Sequence, residues 1–401
     1  MKVRISPSVA SGTVSAPPSK SMAHRLLIAA ALSKGESVLD GVSLCEDVLA
    51  TVDCLRSLGV SCERTGDRVT IKGGLSARSE AVTLPCRESG STIRFFLPIA
   101  LLSDAPTRLV GAPSLLRRPM TVYRDLCAAH GLDYSQTEEG IFVKGPLLAG
   151  EYSLPGNVSS QFVSGMLFAL TQVGGVSILR LIPPVESRSY IFLTVAALKR
   201  FGASVEWTDE YTLRIDGSAS MTAQSGRVEG DYSNAAFLEA FNLFGGDVRV
   251  TGLDPASLQG DRVYTDCFAQ LAQGEANISL EDCPDLAPIL FAVAAAKHGA
   301  CFTDTKRLKI KESDRAETMA CELRKFGASV KVYDNSVVIE KVPLHTPCEA
   351  LCGHNDHRIV MSLAVLASVL GGEIEGAEAV RKSFPDFFEK LSALGIGVTE
   401  V

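Results

Sequence analysis

The sequence predicts an α/β protein built as two halves of three repeated modules each, with helices within and strands outside. Three observations carry that prediction. One kind of segment recurs six times: a small polar cluster, an apolar run of helical length, in most copies a Gly, and a short β-branched stretch. Between the copies lies a second kind, an amphipathic helix that ends in Gly and runs into alternating β-branched residues. The first helix of each module is apolar nearly all round, as in "LLIAAAL" and "APILFAVAAA", and such helices belong in an interior.

Taken in order, "KVRISP" at the N-terminus reads as a strand expected to return to the second half of the chain. "SKSMAHRLLIAAALSKGESVLDGV" opens the first module, and "EDVLATVDCLRSLGVSCERTGDRVTIKG" completes it as helix, Gly cap, strand, turn and strand. "SGSTIRFFLPIALLSDAPTRLVGA" opens the second and "SSQFVSGMLFALTQVGGVSILRLI" the third, which closes on "RSYIFLTVAALKRFGASVEWTDEYTLRIDG". "DYSNAAFLEAFNLFGGDVRVTGL" begins a shorter fourth module. "PDLAPILFAVAAAKHGACFTDTKRL" with "SDRAETMACELRKFGASVKVYDNSVVIEK" makes the fifth, and "NDHRIVMSLAVLASVLGGEIEGAEA" begins the sixth. Each is a unit of βαβαββ type. The boundary between halves is expected near "SGRVEGDYSN", which gives one domain over 14–227 and a discontinuous one over 1–13 plus 228–401.

The 401 residues carry 39 Lys+Arg against 46 Asp+Glu, a formal charge of −7. A net acidic chain has no general pull toward nucleic acid or an anionic membrane, so any anion it binds is held by locally clustered cations. Small-molecule partners are expected. The 11 Cys form no C-x-x-C pair, and "CEALC" lacks the further ligands of a zinc site, so they are expected to be reduced core thiols and no metal is expected. The first residues contain no apolar signal core, and no apolar run reaches the roughly 20 residues that span a bilayer, so the protein is expected to be cytoplasmic.

The polar clusters fall where inner helices begin, and a helix start is an anion site by its free N–H groups and dipole. They are "PSKS" with Lys20, Ser21 and Arg25; "SGST" with Gly90 and Arg94; "SSQ" with Ser159, Ser160 and Gln161; and "NDHR" with His357 and Arg358. A Ser here is first of all an N-cap, worth about 1 kcal/mol. Capping does not explain cations. Lys20, Arg25, Arg94 and Arg358 are expected in first turns, where they oppose the dipole, and a bound anion reverses the sign of that cost.

Arg117 and Arg118 stand ahead of an amphipathic helix, Lys311 and Arg315 are spaced as on one helical face, and Lys382 follows in "VRKSFPD". The chain has neither G-x-x-x-x-G-K-[ST] nor G-x-G-x-x-G, so small phosphorylated or carboxylated substrates fit better than a nucleoside triphosphate or dinucleotide. Asp285, opening an apolar helix, and Glu312, beside Lys311, are candidate proton carriers, with an N-cap and a surface ion pair as the plainer readings. His24, His130, His298 and His345 show no triad or metal spacing, which leaves His357 as the His candidate.

The stretches "PPSKSMAHR", "ESGSTIR", "RRPM", "NVSSQF", "ESRSY", "PDLAP", "KIKESDR", "NDHR" and "RKSFPDFFE", in this order over nearly the whole chain, resemble the enolpyruvyl transferases, and among them the branch that acts on shikimate 3-phosphate. The resemblance implies a two-domain inside-out α/β barrel-like fold with the active site in the cleft and residues 14–227 on the shikimate 3-phosphate side. It implies transfer of the enolpyruvyl group of phosphoenolpyruvate to the 5-hydroxyl of shikimate 3-phosphate through a tetrahedral intermediate, by a monomer with no cofactor. Lys20, Ser21, Arg25, Ser159, Ser160, Gln161, Ser187, Tyr190, Asp285 and Lys311 match positions that hold shikimate 3-phosphate. Lys20, Gly90, Arg94, Arg118, Gln161, Arg315, Arg358 and Lys382 match those around phosphoenolpyruvate. Asp285 is the implied base for the 5-hydroxyl; Glu312, with Lys20 nearby, exchanges a proton with the methylene carbon; Lys382 and His357 assist the departing phosphate. Gly90 implies inhibition by glyphosate, while Glu88 and Arg307 depart from the Asn that many members carry at those places. The related branch that uses UDP-N-acetylglucosamine typically has Lys-Asn at the first helix and a loop Cys; here stand Lys20-Ser21 and "LLRRPM". Against a non-catalytic anion-binding or RNA-processing protein on such repeats stand the paired candidate proton carriers Asp285 and Glu312 and the lack of a continuous basic stripe or stacking aromatics.

Overall fold

The segment from Glu151 to Asp216 shows how one module is built. Strand Glu151–Pro155 leads to a helix, Ser160–Leu170, whose residues from Phe162 onward are all buried. The chain returns through strand Val176–Ile182, parallel to the first with Tyr152 opposite Leu179. A second helix, Arg188–Arg200, buries only one face, and strands Ser204–Trp207 and Thr212–Asp216 add antiparallel. Leu213 and Ile215 point inward while their neighbours stay half exposed, the period-2 alternation of a sheet with one dry face. The amphipathic helix stops because Gly202 takes φ +88°, which lets Ala203 N donate to Leu198 O at 3.1 Å. Gly327 repeats this device two modules later, with Ala328 N donating to Leu323 O at 3.1 Å.

The computed structural model describes residues 1–75 and 78–401. Among them are five four-stranded sheets and one two-stranded sheet. The chain divides into two compact units, Pro18–Glu229 and Met1–Pro17 with Gly230–Val401. In the first unit the inner helices are Lys20–Leu32, Gly90–Ala100 and Ser160–Leu170, covered by sheets on the outside. In the second they are Tyr232–Glu239, Ala287–Ala296 and His357–Leu370. The short fourth module has no hairpin of its own: its sheet is Asp247–Thr251 parallel to Ser11–Ser15. The sixth borrows its fourth strand from the N-terminus, where Lys2–Ser6 lies between Gly372–Glu375 and Gly397–Glu400.

Three expectations about placement are corrected. Arg25 and Arg94 are the sixth and fifth residues of their helices, hence beyond the first turn, whereas Lys20 and Arg358 do lie within it. Lys311 and Glu312 are not helical: Lys306–Ile310 is a 3-10 turn, and the following helix begins at Arg315 behind its N-cap, Asp314. Asp314 accepts from Glu317 N at 3.3 Å, and that cap sets the helix start. Cys321, Cys348 and Cys352 are exposed rather than in a core; seven of the remaining Cys are buried and Cys301 is half-buried. No helix among the described residues is long and apolar enough to cross a membrane.

Candidate active site

In the Pro18–Glu229 unit the three inner helices begin at N-caps Ser19, Ser89 and Ser159, each of which accepts a backbone N–H of its own first turn. Lys20 follows the first cap, and its ammonium meets Asp47 of the next helix at 2.9 Å in a largely buried pair. Ser21 offers its carbonyl to Arg25 Nη1 at 2.7 Å. Arg25 also donates to Thr194 Oγ1 at 2.8 Å and to Tyr190 O at 3.0 Å, and its guanidinium lies 5.4 Å from the Phe95 ring centre and 5.8 Å from that of Tyr190. Burial lowers its pKa to about 10, which leaves it charged at neutral pH.

Arg94 donates to Gln161 Oε1 at 2.7 Å, and Gln161 in turn donates to Ser91 Oγ at 2.9 Å, so two inner helix starts are tied side chain to side chain. The Tyr123 hydroxyl lies 2.8 Å from Arg94 O and 2.9 Å from Phe162 O. Arg118 closes on the same place: a Cβ on Gly90 would stand 2.6 Å from Arg118 Nη1 and 3.1 Å from Arg94 Nη1. Ser160 is buried in the first turn behind Ser159. Ser187 precedes its helix in the left-handed region at φ 54°, an uncommon conformation for a residue with a Cβ.

In the unit that contains Gly230–Val401, Asp285 is the meeting point. Its Oδ1 accepts Lys311 Nζ at 3.1 Å and Arg315 Nη1 at 2.9 Å, and its Oδ2 accepts Arg358 Nη2 at 2.9 Å. Asp285 is therefore not the N-cap of the Ala287–Ala296 helix; Leu286 stands there and makes no side-chain cap bond. Arg315, with 1% of its side chain exposed, binds Glu312 Oε2 at 2.6 Å and Asp356 Oδ2 at 2.9 Å as well. Burial opposes its charge, but Asp356, Glu312 and Asp285 outweigh burial and raise its pKa above the ordinary value. For Lys311 burial wins over Asp285, with Arg315 and Arg307 adding to it, and its pKa is lowered. Asp356 caps the His357–Leu370 helix by accepting Arg358 N at 3.0 Å. Buried His357 has its Nδ1 3.9 Å from Asp356 Oδ1, and Lys382, also buried, donates to Asn355 O at 2.7 Å.

Two groups of predicted residues are thus assembled, each within its own unit. Lys20, Ser21, Arg25 and Tyr190 stand around the first helix start, and Gly90, Arg94, Arg118 and Gln161 around the second and third. Asp285, Lys311, Glu312, Arg315 and Arg358 form one ion network. Asp47, Thr194 and Asp356 join these groups without having been expected from the sequence. Only Asp356 carried a local signal, its place at the head of "NDHR".

Comparison with known proteins bears on the same elements. The sequence model of the family EPSP synthase (3-phosphoshikimate 1-carboxyvinyltransferase) matches residues 6–391. The 3-phosphoshikimate 1-carboxyvinyltransferase of Clostridium perfringens is 35% identical over 417 residues, covering 98% of each chain. That of Clostridium kluyveri is 36% identical over 425 residues, covering 99% of this chain and 98% of its own. The EPSP synthase structure of Acinetobacter baumannii superposes with a TM-score of 0.77 at 25% identity over all of both chains. The enolpyruvyl transferase NikO of Streptomyces tendae shares the fold, with a TM-score of 0.80 at 15% identity over 100% of this chain and 98% of that one. With the six-module fold, the helix-start cations and a match that runs almost from end to end, the chain belongs to the EPSP synthase (3-phosphoshikimate 1-carboxyvinyltransferase) family.

Proposed function

We infer that the chain, as a member of this family, transfers the enolpyruvyl group of phosphoenolpyruvate to shikimate 3-phosphate in the shikimate pathway. The residue roles are our proposal, and the convergence of Lys311, Arg315 and Arg358 on Asp285 carries it. Both substrates are polyanions, so they need a dense set of cations, and Arg suits bidentate capture of phosphate and carboxylate. An arriving anion competes with Asp285 for these three cations. It thereby releases a carboxylate that accepts the proton of the 5-hydroxyl as that oxygen attacks the substituted carbon of phosphoenolpyruvate. Glu312, with Lys20, gives a proton to the methylene carbon, which completes a tetrahedral adduct. Glu312 then takes a proton back from the new methyl group while phosphate departs toward Lys382 and His357, restoring the double bond.

Lys20, Ser21, Arg25, Ser159, Ser160, Gln161, Ser187, Tyr190, Asp285 and Lys311 are assigned to shikimate 3-phosphate. Lys20, Gly90, Arg94, Arg118, Gln161, Arg315, Arg358 and Lys382 are assigned to phosphoenolpyruvate. This reading expects a cytoplasmic monomer that needs no cofactor; size-exclusion chromatography with light scattering checks the monomer. Glyphosate is expected to inhibit at the Gly90 spot, and undiminished turnover in millimolar glyphosate would refute that. The decisive assay follows phosphate release from phosphoenolpyruvate with shikimate 3-phosphate or UDP-N-acetylglucosamine as acceptor, and release only with the second would reassign the acceptor. Glu312→Gln and Asp285→Ala should each lower kcat by about a hundredfold to ten-thousandfold while shikimate 3-phosphate still binds. Near-normal turnover in either variant would remove that residue from its role.

A further inference from the structure

The helix Glu46–Ser57 presents Asp47 and Thr51, four residues apart and so on one face, to the starts of two inner helices. Asp47 takes Lys20. Thr51 Oγ1 lies 2.7 Å from His24 Nδ1 and 2.9 Å from Thr92 Oγ1. Thr92 Oγ1 lies 2.7 Å from the Oγ of Ser89, the N-cap of the Gly90–Ala100 helix, which also accepts Thr92 N at 3.2 Å. All four side chains are wholly buried, at 0% exposure. They form an unbroken polar chain inside an apolar core.

Counting protons gives this chain a direction. His24 Nε2 is buried and, among the described residues, has no hydrogen-bond partner. A buried N–H without an acceptor is rarer and costlier than an unused lone pair, so the ring proton sits on Nδ1 and is donated to Thr51. That leaves the Thr51 hydroxyl free to donate to Thr92, which has Ser89 Oγ at 2.7 Å and, more distantly, Asp47 O at 3.4 Å as acceptors. Burial, reinforced by the charges of Lys20 and Arg25, drives the His24 pKa well below its ordinary value, so the ring remains neutral. The Phe95 ring packs on the imidazole edge-to-face, 6.2 Å away between centroids and at 85° between planes.

We propose that the chain His24–Thr51–Thr92–Ser89 is a positioning device for the transfer reaction, fixing Gly90 and Arg94 at one helix start relative to Lys20 at the other. None of the four is assigned to substrate; they act through Lys20, Gly90 and Arg94. The proposal rests on the phosphoenolpyruvate role given to those three residues. It also returns His24, which lacks any triad or metal spacing, to the working parts of the enzyme.

The test has two arms. Imidazole 15N NMR of the full chain without substrate, with the His24 signals identified by their loss in His24→Asn, is expected to show the Nδ1–H tautomer. Thr51→Val, which removes the hydroxyl at nearly constant shape, should shift His24 toward the Nε2–H form. In the kinetic arm Thr51→Val and Thr92→Val should raise KM for phosphoenolpyruvate by about threefold to tenfold, the worth of one hydrogen bond, with kcat little changed. Thr51→Ser should restore the wild-type KM. An Nε2–H ring in the wild type overturns the chain's direction, and wild-type KM in both Val variants overturns its positioning role. Because the NMR arm uses no substrate, its failure is distinct from failure of the enolpyruvyl-transfer reading, which would show as no phosphate release by the wild type.

Discussion

At Gly90 the question is space rather than backbone freedom. A methyl group there would press on Arg118 and Arg94, whose guanidinium ends can yield but only by leaving the place where they converge. Gly90→Ala is therefore expected to fold normally and to raise KM for phosphoenolpyruvate by roughly tenfold to a hundredfold, the scale of a displaced binding group, with a parallel change in glyphosate inhibition. Steady-state kinetics decide it, and an unchanged KM would place the anion elsewhere. Lys311 supplies a prediction in pH. Although 28% of its side chain stays exposed, burial lowers its pKa from 10.5. Between the lowered value and 10.5 the folded chain binds fewer protons than the unfolded one, so its contribution to stability rises with pH across that window. Affinity for shikimate 3-phosphate should run the opposite way, because the ammonium proposed to bind it is being lost. Binding measured against pH should weaken over that window in the wild type, and Lys311→Arg should move the decline upward, since Arg keeps its charge. An identical alkaline decline in the two proteins would show that another group is responsible. Lys20 and Arg358 could be read in the sequence because a cation in a first turn opposes the helix dipole, whereas Arg25 and Arg94 lie beyond that turn. The partners of these cations could not be read. Thr194 meets Arg25 across 169 residues and Asp47 meets Lys20 across 27, separations at which one sequence carries no pairing signal.

Among elements, the inner helices were the most legible, because a run such as "APILFAVAAA" has no polar face to turn toward water. The least legible stretch was "KIKESDR". Its basic residues at four-residue spacing fit a helix, yet Asp314 caps the following helix and leaves Lys311 and Glu312 in the non-helical link before it. Capping outranked periodicity, and the outcome is chemical: Lys311 in the link and the buried Arg315 at the helix start both reach Asp285. The packing of inner helices shows the same dependence on single positions. Gly165 lies where Ser160–Leu170 crosses Gly90–Ala100, and a Cβ there would stand 2.3 Å from both Arg94 O and Tyr123 Oη. A carbonyl cannot swing aside as a guanidinium can. Gly165→Ala should destabilise the fold by about 1–3 kcal/mol by overpacking, and it should also loosen the Arg94–Gln161 bond. Denaturant unfolding reads the first effect and KM for phosphoenolpyruvate the second; wild-type stability would mean that the helices separate without cost.

At the scale of the whole molecule, each unit carries its own apolar core. One runs from Ala23 to Val228, and the other gathers Val3, Ile5, Ala10 and Val14 with residues from Tyr232 to Ile396. The N-terminal segment thus belongs to the second core although the entire first unit follows it in sequence. Lys2–Ser6 is bonded on both edges, and Val3 and Ile5 are 1% exposed, so its removal would open a sheet in the middle and uncover the helix His357–Leu370 beneath. The Pro18–Glu229 unit loses none of its own strands by that cut. Deletion of residues 2–6 is therefore expected to unfold the Gly230–Val401 part selectively. Hydrogen exchange should show fast amides there and continued protection in the buried helices Lys20–Leu32, Gly90–Ala100 and Ser160–Leu170. Turnover should vanish, because Asp285, Glu312 and Arg315 lose their network, while shikimate 3-phosphate should still protect the first unit through Arg25 and its neighbours. Loss of protection in both units together would show that neither core stands without the other.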